Sequence, residues 1–103
     1  STPLYSSAAS DVYKRQFMTA VQLFPDNPVA NLNAACISLM QRDVKSAGHY
    51  LEKAPEVPET ALAKGVLYLL KNQYEEAESF FRQAKAAGLS QADDNLKRIL
   101  ELK

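Results

Sequence analysis

Small and apolar residues recur at spacings of three and four along residues 61–84, ALAKGVLYLLKNQYEEAESFFRQA, on either side of a polar break at Lys71, Asn72 and Gln73. Before the break, Ala61, Gly65 and Tyr68 stand at i, i+4 and i+7, with Leu62, Val66 and Leu69 beside them. After it, Tyr74, Ala77, Phe80, Phe81 and Ala84 keep the same rhythm. A period of about 3.6 residues predicts two amphipathic helices, and the short break folds them back on each other. Gly65 and Ala77 are small enough to let the two backbones approach, with aromatic rings wedged around the contact. One such hairpin cannot bury its apolar face alone.

The pattern is repeated upstream. Residues 31–54, NLNAACISLMQRDVKSAGHYLEKA, align with 61–84 without a gap. Ala35 matches Gly65, Ala47 matches Ala77, Leu51 matches Phe81 and Ala54 matches Ala84, each pair 30 residues apart. A partial copy precedes it: Phe17 to Leu51 and Ala20 to Ala54 are both 34 residues, and Pro25 follows as a closing proline. The small–aromatic–small spacing and the proline near the next helix resemble the tetratricopeptide repeat, whose unit is about 34 residues. The resemblance covers residues 17–87. It implies an all-α chain of antiparallel helix hairpins, a fragment of a solenoid, ending in a capping helix. The corresponding division is the end of a truncated repeat at 17–27, repeats at 28–57 and 58–89, and a capping helix at 90–103.

Local signals punctuate these units. Pro25-Asp26-Asn27-Pro28 stops one helix and starts another, with Asp26 or Asn27 as cap and Pro28 in the first turn. A helix is expected over 29–41 and, capped by Asp43, another over 44–53. Gly48 inside the latter costs about 1 kcal/mol against alanine, which suggests close backbone packing. Pro55 and Pro58 bracket a connection four residues short of the 34-residue period, so the helix before it should be clipped. Gly88 ends the later repeat. Ser90-Gln91-Ala92-Asp93 resembles a capping box, and Leu96, Ile99, Leu100 and Leu102 form an apolar stripe suited to sealing the array.

The first sixteen residues read differently. Ser6 to Gln16, SSAASDVYKRQ, is residue for residue the translation of DNA that resembles a transposase-library sequencing adapter. Residues 1–16 are therefore expected to be non-native, with Ser1 to Tyr5 as library or index sequence. The natural protein then begins at Phe17, inside a helix, as the C-terminal part of a longer bacterial protein.

Composition excludes more than it selects. Twelve basic and twelve acidic residues balance to zero, which argues against a nucleic-acid footprint or a polybasic membrane patch. No apolar run reaches the 18 or more residues of a membrane span, and no stretch of the given residues reads as a signal peptide, which in a fragment carries little weight. One cysteine cannot form an intramolecular disulfide or a multi-cysteine metal site. Cys36 and the single histidine, His49, lack an orienting third group, so neither supports nucleophilic catalysis. Glu75, Glu76 and Glu78, like Asp93 and Asp94, fall at helix starts, where the macrodipole favours carboxylates. Without a phosphate loop or metal-ligand spacing, the expectation is a non-enzyme with no catalytic, cofactor-binding or metal residues.

The resemblance places a partner groove on the first helix of each pair, for an extended peptide or a helix. The groove candidates are Val29, Leu32, Asn33, Cys36, Leu39 and Met40, followed by Glu59, Leu62, Val66, Leu69 and Leu70; an equally weighted reading makes several of these leucines core. The structural repeat positions are Ala35, Ala47, Leu51, Ala54, Gly65, Tyr68, Tyr74, Ala77, Phe81 and Ala84. Some members of the family clamp C-terminal carboxylates with lysine, arginine and asparagine. Asn33 matches that asparagine, but Glu59 and Ala63 occupy the basic positions, so this mode is rejected. The run from Pro25 to Ala35, with Glu52-Lys53-Ala54, Ala63-Lys64-Gly65-Val66 and Tyr74-Glu75-Glu76-Ala77, also resembles the C-terminal repeat region of Gram-negative envelope proteins. That likeness implies a periplasmic, outer-membrane-associated setting, with a cytoplasmic adaptor as the alternative. The function expected is a non-catalytic interaction or assembly module with a protein or peptide partner, no nucleic acid and no membrane insertion. The alternative is a structural spacer packing against a missing N-terminal region, and the unsealed first repeat allows end-to-end self-association.

Overall fold

A computed structural model describes residues 15, 16 and 18–102. The expectations attached to residues 1–14 and Phe17 lie outside the described residues, while Arg15 and Gln16 are helical and exposed. All regular structure among the described residues is helical. A helical segment at 18–23 (α1) precedes α2 (Pro28–Met40), α3 (Val44–Glu52), α4 (Pro58–Leu70), α5 (Tyr74–Ala86) and α6 (Gln91–Leu102).

The helix starts follow the chemistry of their first residues. Asn27 caps α2, its Oδ1 accepting the Ala30 amide at 2.9 Å, and Pro28 follows in the first turn. Asp43 does the same for α3, accepting from Ser46 N at 3.1 Å. Val57 caps α4 with no side-chain bond, and Pro58 again occupies the first turn. At α6 the Ser90 carbonyl accepts the Asp93 amide at 3.0 Å, whereas the Asp93 carboxylate lies 2.7 Å from Lys85 Nζ. The acid expected to complete a capping box ties α6 to α5 instead.

Helices α2 and α4 both have 13 residues and start 30 positions apart. Helices α3 and α5 also start 30 apart, but α3 has nine residues against 13. The four residues missing from the connection are thus taken from the end of α3. Each helix of a pair packs on its sequence neighbour, α3 also meets α4, and α2 also meets α4.

Among the described residues, three apolar clusters lie in sequence order. Val21, Ala30 and Ala34 pack with half-buried Tyr50 between α1, α2 and α3. Ala35, Leu39, Ala47, Leu51, Ala63 and Leu67 join α2, α3 and α4, with Ala54 packed against them. Ala77, Phe81, Ala84, Ala92 and Ile99 join α5 to α6, with Tyr68 and Tyr74 at the side. Ala77, Phe81, Ala84, Ala47 and Ala35 are completely buried. At Gly65 a Cβ would stand 2.5 Å from Phe81 Cε1, so the ring itself occupies the space of the missing side chain.

The apolar stripe of α6 is narrower than its sequence suggests. Ile99 and Ala92 are fully buried and Leu96 half-buried, but Leu100 is 70% exposed and Leu102 51%. Leu100 lies one residue beyond Ile99, about 100° round the helix, which carries it away from the α5 contact.

Candidate functional site

The exposed line of α2 comes from its helical period. Val29, Asn33, Cys36 and Met40 stand at i, i+4, i+7 and i+11, so they share one side. Val29 is 59% exposed and Met40 75%, Cys36 is exposed and Asn33 half-buried. Burial among neighbouring side chains nevertheless pushes the Cys36 thiol above its ordinary pKa. Thirty positions on, α4 presents Glu59, Ala63, Val66 and Leu70. Of these Glu59 is exposed, Ala63 is buried, and Val66 and Leu70 are half-buried against the α2–α3–α4 cluster.

The expected groove residues therefore divide. Val29, Asn33, Cys36 and Met40 form an open strip along α2, while on α4 only Glu59, in its first turn, is exposed at the equivalent positions. Leu39 does not line it, being part of the core with Ala35 and Leu67. Leu32 packs against that same core. Leu62 and Leu69 are half-buried against the apolar cluster that α5 and α6 share, so neither lies on an open face of α4. Near the ends of α4 and α6, a depression of about 410 Å³ brings Arg42 and Arg98 close to Leu69, Leu70 and Leu102.

The opposite side of α4 carries a second concavity that the apolar pattern did not indicate. Lys64, Tyr68 and Lys71 stand at i, i+4 and i+7, roughly 140–200° round the helix from Val66. Tyr68 and Phe80 stack with ring centroids 5.4 Å apart and planes within 5°. Lys64 Nζ sits 5.7 Å from the Phe80 centroid and Lys71 Nζ 5.2 Å from that of Tyr68, a cation–π arrangement. With Lys45, Gly48 and Glu52 of α3 they line a groove of about 560 Å³. The lysines were legible as residues, but their convergence depends on how α3 and α5 flank α4.

Asn31 is a further residue whose role was not apparent. It is 1% exposed, and its Nδ2 donates to the carbonyls of Pro25 at 2.9 Å and Asn27 at 2.8 Å, tying the turn to α2. His49 is exposed with its ring against Tyr50 at 5.6 Å, and Glu78 pairs with Arg82 at 2.9 Å. Among the described residues, no three of His, Cys, Asp and Glu converge in a metal-sized cluster, and no helix is long and apolar enough to cross a membrane. Comparison with protein-family models, with curated proteins and with solved structures finds no match for this chain.

Proposed function

We propose that the chain is a non-catalytic protein-interaction module built from tetratricopeptide-like hairpins, receiving a peptide or helix along the exposed side of α2 and the edge of α4. The observation that carries this reading is the open line of Val29, Cys36 and Met40 with Asn33 among them. Large apolar side chains left exposed in one row, with a polar group to fix register, are what a helix or extended segment docks against. The 30-residue offset between two hairpins supports the repeat reading, because α2 with α3 and α4 with α5 begin at the same spacing in each copy.

The spacer reading has one observation in its favour. Leu62 and Leu69 pack into the apolar cluster of α5 and α6, so the strip is narrower than two open helices would make it. Cys36 separates the two. Peptides selected from a random library on the whole chain should slow alkylation of Cys36 at saturating concentration. Val29→Asp and Met40→Asp should each weaken that binding about ten-fold with little change in thermal midpoint, because the side chains are exposed in the free protein. Selected peptides that leave both the alkylation rate and the two variants indifferent would leave the spacer as the better account.

A further inference from the structure

We propose a second binding site, for an acidic peptide segment, in the groove between α3, α4 and α5. Three features meet there, none of which the interaction strip on α2 uses. The first is charge. The chain as a whole is neutral, with 12 basic and 12 acidic residues, yet Lys45, Lys64 and Lys71 line this groove against Glu52 alone among acids. None of the three forms an ion pair among the described residues. Lys64 and Lys71 are held over the Phe80 and Tyr68 rings, which limits their side-chain freedom before any ligand arrives.

The second feature is the stacked Tyr68–Phe80 pair itself, half-buried and forming an apolar wall beside the ammonium groups. The third is Gly48. A Cβ there would meet only Leu67 Cδ2, at 3.8 Å, an ordinary contact. Close helix packing therefore does not account for a glycine in the middle of α3. Its absent side chain leaves room above Leu67 that an incoming apolar side chain can fill.

Charge complementarity selects the occupant. A segment with carboxylates on either side of one aliphatic residue would set that residue over Gly48 and Leu67 and its acids against Lys45, Lys64 and Lys71. A recessed wall of two rings flanked by three lysines suits a short acidic peptide better than a flat anionic membrane. A duplex is disfavoured too, since it would need a longer basic track.

The probe is a fluorescein-labelled peptide of four glutamates, one leucine and four glutamates, titrated into the whole chain. A peptide with glutamine for every glutamate serves as control. We expect saturable anisotropy that weakens with added salt, and amide shifts centred on Gly48 and Tyr68. Lys45→Gln, Lys64→Gln and Lys71→Gln together should weaken binding by about ten-fold or more. Gly48→Leu should weaken it as well, with the far-UV spectrum of both variants unchanged. Four results would overturn the proposal: unsaturable binding, equal binding of the glutamine peptide, shifts centred on Val29 and Cys36, or an unaffected triple variant. So would an oligothymidylate that displaces the peptide at lower concentration than the unlabelled peptide does. Shifts on the α2 strip would count for the proposed function and against this site, so the two readings fail separately.

Discussion

A Cβ on Gly65 would lie 2.5 and 2.6 Å from two carbons of the fully buried Phe81 ring, so residue and ring are one packing unit divided between α4 and α5. The first hairpin solves the same contact with Ala35 and Leu51, adding a methyl on one side and losing a ring on the other. This exchange of volume across a helix pair gives a specific expectation. Gly65→Ala should destabilise by about 1–2 kcal/mol, because overpacking outweighs the gain in helix propensity. Phe81→Leu in the same chain should recover about 1 kcal/mol of that loss, read as coupling in a double-mutant cycle by urea denaturation. Additive effects would mean that the ring yields without strain. Gly48 behaves oppositely: with only Leu67 at 3.8 Å, Gly48→Ala should raise stability by up to about 1 kcal/mol.

At the scale of elements, three helices end in the same way. Arg42 and Asn72 have φ of 60° and 61°, and Gly88 has 100°. The amides of Asp43, Gln73 and Leu89 return to the carbonyls of Ser38, Tyr68 and Ala84 at 2.8, 2.9 and 3.0 Å. This is the Schellman closure, which requires one left-handed residue and is least costly with glycine. Arg42→Gly should therefore raise the urea midpoint, by about 0.5–1 kcal/mol in stability; a fall would mean that the Arg42 side chain contributes more than its backbone costs. Thr60, in the place of Ala30, buries a hydroxyl with no partner among the described residues, so the two hairpins are not equally well satisfied.

Two helix junctions carry pH dependence. The backbone amide of Ser46 holds the Asp43 carboxyl below its usual value, and hydrogen bonding to Lys85 does the same for Asp93. A carboxyl depressed in the folded state binds fewer protons there than in the unfolded chain. Its contribution is thus complete above the unfolded pKa near about 4 and is lost as pH falls through the folded value. Stability should decline from pH 5 towards pH 2, and the decline should be shallower in the double variant Asp43→Asn, Asp93→Asn. An identical slope in the two proteins would assign the acid limb to other carboxylates.

Across the whole molecule the clusters are strung along the chain, each shared by consecutive helices, so stability is assembled from neighbour contacts. That order was legible in the sequence. The 30-residue offset, the helix starts at Pro28 and Pro58, the buried Ala47, Ala77 and Phe81, and the shortened α3 all follow from spacing, proline and side-chain volume. These are local or pairwise properties, set by the 3.6-residue period and by which residues can continue a helix. Tertiary structure decided which of several aliphatic residues on one turn is covered. Leu39 is in the core while Met40 is open, Leu62 and Leu69 pack into the cluster of α5 and α6, and Leu100 faces outward. It also gathered Lys45, Lys64 and Lys71 around stacked rings, and aimed Asn31 at two backbone carbonyls. Periodicity gives the side of a helix, but exposure depends on the angle at which the next helix crosses it, and that angle is set by many side chains at once.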